Sequence, residues 1–267
     1  KGQPLTHIWS EHGDELGISQ RTLYRYIDQG VLSVGNIDLR RKVAYKPRRK
    51  KKEVSEGFLN QEFRKNRGYD DYLKYMEKHP DTPLIQMDTV KGCREQGKRL
   101  LTLHFCNTNM MLMFLMRDGK ADTVVEQFDM LTGLLGLEEF RKVFPVILTD
   151  NGSEFKHTRD LETTEDGKKR TKVFYCDPQA SWQKPQIEKN HEFIRYVLPK
   201  DKTLNPYTQE DMLLLANNIN SIGRESLGNK SPYEATTDKS ILRLMGLMGL
   251  HTVPADEVNL TPALLKR

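Results

Sequence analysis

Three acidic residues stand where chemistry could be done. Asp88 lies toward the end of the apolar run 84–90, Asp150 follows the apolar run 143–148 and opens Asp-Asn-Gly, and Glu188 falls in the helical pattern 183–197. Most carboxylates are solvated surface groups, but the first two interrupt strand-like apolar runs. A carboxylate half-buried at a strand end needs a partner, and a divalent cation taking hard oxygen ligands is one such partner. Two Mg²⁺ ions held by three carboxylates, with Mn²⁺ as a substitute, could activate a water or a 3′-hydroxyl and stabilise the leaving oxygen during in-line attack on phosphorus. His191, less than a helical turn after Glu188, suits a structural place as well as a substrate contact.

The elements that must position these acids read as a mixed α/β core over residues 81–200. Residues 84–90, 99–106 and 110–116 read as strands, with Asn107-Thr108-Asn109 as a turn. The helical spacing of Val124, Val125, Phe128, Leu131 and Leu135 predicts one helix over 121–137. Residues 143–148 and 173–175 read as short strands, and 157–169 as a polar, mobile loop. From Tyr207 onward the pattern is helical. Met212, Leu213, Leu215, Ala216 and Ile219 share a face, with Leu213 and Leu215 expected in the core, and 242–250 is a further apolar segment. Residues 201–267 are therefore expected to form a helical C-terminal extension.

Upstream, residues 5–30 read as two short helices. Leu5, Ile8 and Trp9 share a face, Leu16-Gly17-Ile18 makes a break, and Ser19 is a good N-cap for a helix over 20–28. Leu23 and Ile27 would pack inward, leaving Gln20, Arg21 and Arg25 for another surface. That is the layout of a helix-turn-helix segment, whose second helix presents early polar residues to base edges. A helical pair that never meets DNA would have the same pattern. Between residues 40 and 52, nine of thirteen positions are Lys or Arg and none is acidic. Such a block seeks a polyanion, with Arg48, Arg49 and Lys50 as candidate phosphate contacts, or serves as a solvated linker. The expected units are thus 1–37 as a DNA-binding segment and 38–80 as a basic linker with one or two connecting helices.

The remaining composition narrows the classes. The most apolar stretch, 109–116, stops at Arg117 and Asp118, far short of a membrane span. Cys93, Cys106 and Cys176 are widely spaced and odd in number, which suits reduced thiols in a cytoplasmic protein. The chain opens Lys-Gly-Gln-Pro without a signal-peptide core or an initiator methionine, and further residues are expected upstream.

Taken in order, Met-Asp-Thr-Val at 87–90, Thr-Asp-Asn-Gly-Ser-Glu-Phe at 149–155, Phe-Tyr-Cys-Asp-Pro at 174–178 and Trp-Gln-Lys-Pro-Gln-Ile-Glu-Lys-Asn at 182–190 resemble bacterial insertion-sequence transposases of the DDE class. The insertion-sequence-thirty family, with its Trp-Gln-Arg-Gly-x-x-Glu-Asn pattern, is the nearest group. The resemblance spans essentially the whole chain and is most specific over 84–236. It implies a ribonuclease-H-like catalytic core. Asp88, Asp150 and Glu188 become the metal-binding triad for two Mg²⁺ ions, and Asn151 and Gly152 the turn that shapes the second ligand loop. Trp182 and Gln183 would pack or contact DNA, with Lys91, Lys184 and Lys189 as further DNA contacts. Departures from the pattern are Lys91 in place of a common Glu, Pro185 in place of Gly, Lys189 between Glu188 and Asn190, and Asn220-Ser221-Ile222-Gly223-Arg224 in place of an Asn-x-Arg-Pro-Arg stretch.

The resemblance implies a DNA transposase that hydrolyses a phosphodiester at the element's ends and transfers the 3′-hydroxyl into target DNA. Its partners would be terminal inverted repeats, target DNA and further copies of itself, at the nucleoid. The alternative is an impaired transposase remnant that binds DNA without cutting it.

Overall fold

The computed structural model describes residues 1–39, 62–93 and 97–265. Arg48, Arg49 and Lys50, with the rest of the basic block, lie outside the described residues. Five strands form one sheet: β1 (Leu84–Lys91), β2 (Arg99–Phe105), β3 (Met111–Met116), β4 (Val146–Thr149) and β5 (Lys172–Tyr175), in the order β3-β2-β1-β4-β5. The first three are antiparallel, and β4 and β5 continue the sheet parallel to β1. This is a mixed α/β sheet, as the sequence pattern predicts.

Alternation along the strands sorts side chains between two layers, because successive residues point to opposite faces. Ile85 and Met87 stand opposite Phe105 and Leu103, and they bury themselves with Ile147 under helices α4 (Ala121–Leu135) and α5 (Leu137–Val143). Rings from Phe105, Phe128, Phe140 and Phe144 meet there in a chain of tilted contacts. The other face carries polar groups. Gln86 stands opposite His104 and Asp88 opposite Thr102, beneath helix α7 (Pro185–Val197). Farther along that face, Val146, Leu148, Phe174 and Cys176 are covered by the tyrosine-rich helix α3 (Tyr69–Lys78).

The edge strand β3 is almost wholly buried, and its free backbone groups need partners. Helix α8 (Gln209–Asn220) supplies them from both ends. The Gln209 amide accepts from Leu115 N–H at 2.7 Å and donates to Met113 O at 2.8 Å. The Asn220 amide clasps the Met111 peptide in the same way, with both bonds at 2.9 Å. Two shorter helices, α9 (Pro232–Ala235) and α10 (Lys239–Leu247), complete the extension.

The N-terminal helices α1 (Leu5–Leu16) and α2 (Gln20–Asp28) are joined through Gly17, whose φ of 61° is left-handed and suits glycine. The Ser19 hydroxyl caps α2 by accepting from Thr22 N–H, and Leu23 and Ile27 are buried. Helix α1 is pinned to the extension. The Gln3 amide donates to Ala255 O and Val258 O, and the buried His7 accepts from Gly223 N–H at 3.0 Å.

Several expected boundaries shift, each for a local reason. The helix expected over 121–137 stops at Leu135, because Gly136 at φ 79° breaks it, and α5 then absorbs Val143 from the expected strand. Residues 157–169 are not a loose polar loop. They form a short helix α6 (Thr158–Glu162) with buried Leu161 and a bridge between Thr163 and Lys169. Arg170, almost fully buried, ties this segment down by pairing with Asp129 at 2.6 Å and donating to Leu161 O. Leu215 is core as expected, whereas Leu213 packs against the core from a half-buried place.

Candidate active site

Parallel pairing places the first two acids. The last paired residues of β1 and β4 are Gln86 and Leu148, and Asp88 and Asp150 each lie two residues beyond, on the same face. Strand ends on an α/β sheet are where binding groups gather, since backbone pairing stops while side chains still converge. Asp88 lies in mid-strand rather than at the end of β1, because its antiparallel pairing with β2 continues to Lys91.

The surrounding groups hold this corner rigid. Asp88 Oδ1 accepts from Thr89 N–H at 2.7 Å. The Asp88 carbonyl accepts from the Thr102 hydroxyl, which in turn meets His191 Nε2 at 2.8 Å. Burial pushes the His191 imidazole down to about 3, so it is neutral and donates Nε2–H to Thr102. Asp150 Oδ1 accepts from Gly152 N–H at 2.9 Å. A Cβ at Gly152 would come within 2.7 Å of the Glu154 carboxylate and 3.1 Å of Asp150, so a larger residue here would push the end of the Glu154 side chain aside. Asn151 is held by Arg64 and by its own bond to Cys176 O, and Arg64 donates to that carbonyl at 3.0 Å. Arg64, from the stretch expected to be a linker, thus braces the loop behind Asp150.

A cation is already present. Lys184, only 2% exposed, turns its ammonium inward to Met87 O at 3.0 Å and to Asp88 Oδ2 at 3.1 Å, where the Asp88 side chain is 19% exposed. This corrects the expectation that Lys184 is a surface DNA contact. Its stem is drawn under α7, and its charge is spent on the aspartates. Burial raises the Asp150 carboxyl above its ordinary range. Lys184 opposes that shift, Asp88 and Glu154 add to it as like charges, and the Gly152 N–H works against it.

The third acid is placed differently. Ile187 N–H donates to Gln86 Oε1 at 2.9 Å, which fixes the first turn of α7 against β1, but Glu188 itself is exposed on that turn. Among the described residues no three His, Cys, Asp or Glu side chains converge to hold a metal ion. The structure therefore brings Asp88 and Asp150 together and leaves Glu188 outside their cluster. The donor set still fits a divalent ion: two carboxylates and a carbonyl, all hard oxygen, with a cation already bound to Asp88 and the Met87 carbonyl.

Of the expected DNA contacts among the described residues, Arg21 and Arg25 are exposed and four apart on α2, with Gln20 half-buried beside them. Lys91 and Lys189 are exposed, and Trp182 is 59% exposed in the turn before α7. Gln183 instead closes its own loop, bonding Asp177 through both N–H and carboxylate. Sequence reasoning missed Glu154. It is 4% exposed, accepts from the Thr89 hydroxyl at 2.6 Å and pairs with Arg99 at 3.3 Å. Its place four residues after Asp150 is the only sequence signal. The cysteines are free, and burial pushes Cys176 up to about 12, which keeps it a thiol.

The fold and this corner define an α/β protein with paired carboxylates just past the parallel pairing of two neighbouring strands. In sequence, the chain resembles bacterial insertion-sequence transposases, the insertion-sequence-thirty group among them. It is 24% identical over 81% of its length to a transposase for insertion sequence element IS4351 from Bacteroides fragilis, covering 63% of that protein. It is 40% identical over 24% of its length to transposase InsI for insertion sequence element IS30A from Escherichia coli, covering 16% of it. The chain thus spans less than two thirds of the curated relatives it matches. No protein-family model matches it. Among solved structures, the catalytic core domain of BIV integrase aligns with 57% of this chain and 92% of its own, at 18% identity and a TM-score of 0.39. A simian T-cell lymphotropic virus intasome in complex with PP2A regulatory subunit B56 gamma aligns at 12% identity and a TM-score of 0.43, covering 59% of this chain and 55% of that one.

Proposed function

We propose that this chain is the strand-cutting and strand-joining part of an insertion-sequence transposase acting on double-stranded DNA. One observation carries the reading: Asp88 and Asp150 stand side by side just past the parallel pairing of β1 and β4, with the buried Lys184 ammonium against Asp88. Residues 1–37 read the terminal inverted repeats through Gln20, Arg21 and Arg25. Residues 38–80 link them to the core at 81–200, with Arg48, Arg49 and Lys50 following phosphates, and 201–267 complete the fold. Asp88 and Asp150 would hold Mg²⁺, or Mn²⁺ as a substitute, with Glu188 as the third ligand that the family resemblance implies. Two such ions, when bound, supply activation of the attacking oxygen and charge stabilisation of the leaving one.

The chain's own groups prepare that geometry. Thr89 and Thr102 orient Asp88, while Gly152 and Asn151 hold the Asp150 turn. Lys91 and Lys189 offer ammonium groups to phosphates, and Trp182 an aromatic face to DNA. In the first reaction a water oxygen bonds to phosphorus as the bond to the 3′ oxygen breaks, leaving a 3′-hydroxyl and a 5′-phosphate. In the second, that hydroxyl bonds to a target phosphorus, and the target's 3′ oxygen leaves and takes up a proton. Pairing two element ends calls for a homo-oligomer on DNA, in the bacterial cytoplasm at the nucleoid. Among the described residues no helix is long and apolar enough to cross a membrane.

The test is nicking and joining of labelled DNA carrying the element's ends, in Mg²⁺ or Mn²⁺, by this chain and by Asp150→Asn. Joined products made by the first and absent from the second are expected. The exposed Glu188, outside the aspartate cluster, favours a second reading as a DNA-binding remnant. Tight end binding without cleavage, unchanged by the substitution, would establish that instead.

A further inference from the structure

Lysine is seldom buried unless paired, and Lys184 is buried against the two groups a metal ion would use. Its backbone belongs to the turn at residues 181–184, where Lys184 N–H bonds Ser181 O and the residue stands just outside α7 as its N-cap. The ammonium makes no cap bond to the helix. The Lys184 stem carries a compact charge on four rotatable carbons, so it can leave without moving the backbone. A divalent ion binds carboxylate oxygens at about 2.0–2.6 Å. The ammonium, 3.1 Å from Asp88 Oδ2 and close enough to Asp150 to oppose the rise of its carboxyl, occupies that same space.

We propose that Lys184 is a built-in counter-cation that holds the Asp88–Asp150 pair when no divalent ion is bound, and that the ammonium and the ion exclude one another. Lys184 is a positioning residue in this scheme. It keeps two like charges side by side on folding, sets the threshold for ion entry, and on release frees an ammonium for a phosphate oxygen. The exchange rests on the metal-dependent reading of the site, and its test separates the two.

The full chain is treated with an amine-acylating reagent in EDTA and across a Mn²⁺ titration, and modification of Lys184 and of exposed Lys189 is followed by mass spectrometry. Mn²⁺ binding is measured by calorimetry on the same protein, on Lys184→Met and on Asp150→Asn. Lys184 is expected to react far more slowly than Lys189 in EDTA and to become reactive with Mn²⁺, its half-point matching the binding constant. If the ammonium is out of the way about a tenth of the time, Lys184→Met binds Mn²⁺ about tenfold more tightly. Mn²⁺ binding that is lost in Asp150→Asn while Lys184 stays protected overturns the exchange and leaves the metal reading standing. No Mn²⁺ binding by either the unaltered chain or Lys184→Met overturns both. Lys184→Gln replaces the Met variant if that fails to fold, and the acylation measurement needs no variant at all.

Discussion

Two buried cations meet α7, Lys184 at its N-terminus and Arg224 farther along, and they are held in opposite ways. Lys184 faces carboxylates at the open end of the sheet. Arg224, 8% exposed, has none: it lies 4.2 Å over the Phe193 ring and donates to Asn190 Oδ1 and Ile219 O, both at 3.0 Å. Burial drags its guanidinium down to about 9, and its Nε has no hydrogen-bond partner among the described residues. The contrast teaches that charge alone does not mark function. The guanidinium bridges α7 to α8 through neutral acceptors and an aromatic face, so nothing invites a ligand to replace it. The ammonium compensates charges that another cation can compensate equally well.

The substitutions that break this contrast form a series of falling effect. Asp150→Asn removes the reason for a cation at the sheet end and is expected to lower metal-dependent nicking by more than about 100-fold, since even groups that only orient a metal's ligands are worth about 10–100-fold. Arg224→Ala leaves two buried acceptors unpaired and a cavity, costing about 3 kcal/mol in denaturant unfolding. Arg224→Lys should rescue little, because an ammonium cannot reproduce the planar stacking and fork. Lys184→Met should cost less, about 1–2 kcal/mol in EDTA, because Asp88 keeps some solvent, and Mn²⁺ should restore the loss, which it cannot do for Arg224→Ala. A melt of both variants with and without Mn²⁺ decides whether the two cations differ as described.

The imidazoles packed beside these cations sharpen the picture through pH. Burial holds His104 and His191 down to about 3, against 6.5 for an ordinary histidine. Between those values the unfolded chain binds protons that the folded chain refuses. Stability must therefore fall as pH drops from 6.5 toward 3, by no more than about 1.4 kcal/mol per pH unit for each imidazole. Acid unfolding of His104→Gln should show a shallower slope, and an unchanged slope would mean that His104 is protonated in the fold. The smallest effects belong to the exposed α2 surface. Arg21→Ala or Arg25→Ala should each reduce the salt dependence of DNA binding by about one unit in the log–log slope, with no change in melting temperature.

Much of the fold was legible because it rests on local alternation. The runs that became β1, β2 and β3 are apolar and bounded by turn residues, and Ser19 announced the start of α2. Boundaries slipped where one residue's backbone decided them, as at Gly136. The buried faces of α8 were legible, but not the use of Gln209 and Asn220 to satisfy the edge of β3, since each reaches roughly a hundred residues back along the chain. At the site, residue types and order singled out Asp88 and Asp150. Glu154 stayed hidden because a glutamate in a polar turn is ordinarily solvated, and only packing under Thr89 and Arg99 makes it a buried support.

The sequence by itself determined most of the segments that form strands and helices, and that acids interrupt two of the apolar runs. Period, caps and breakers act between near neighbours and need no tertiary partner. Tertiary structure alone decided the sense of the charges. Lys184, read along the chain, is one more cation beside a tryptophan on a DNA-facing turn. In space it lies against a carbonyl 97 residues earlier and an aspartate beside it. A long flexible side chain takes its role from the nearest opposite charge, and only the packing of α7 on β1 determines which charge that is.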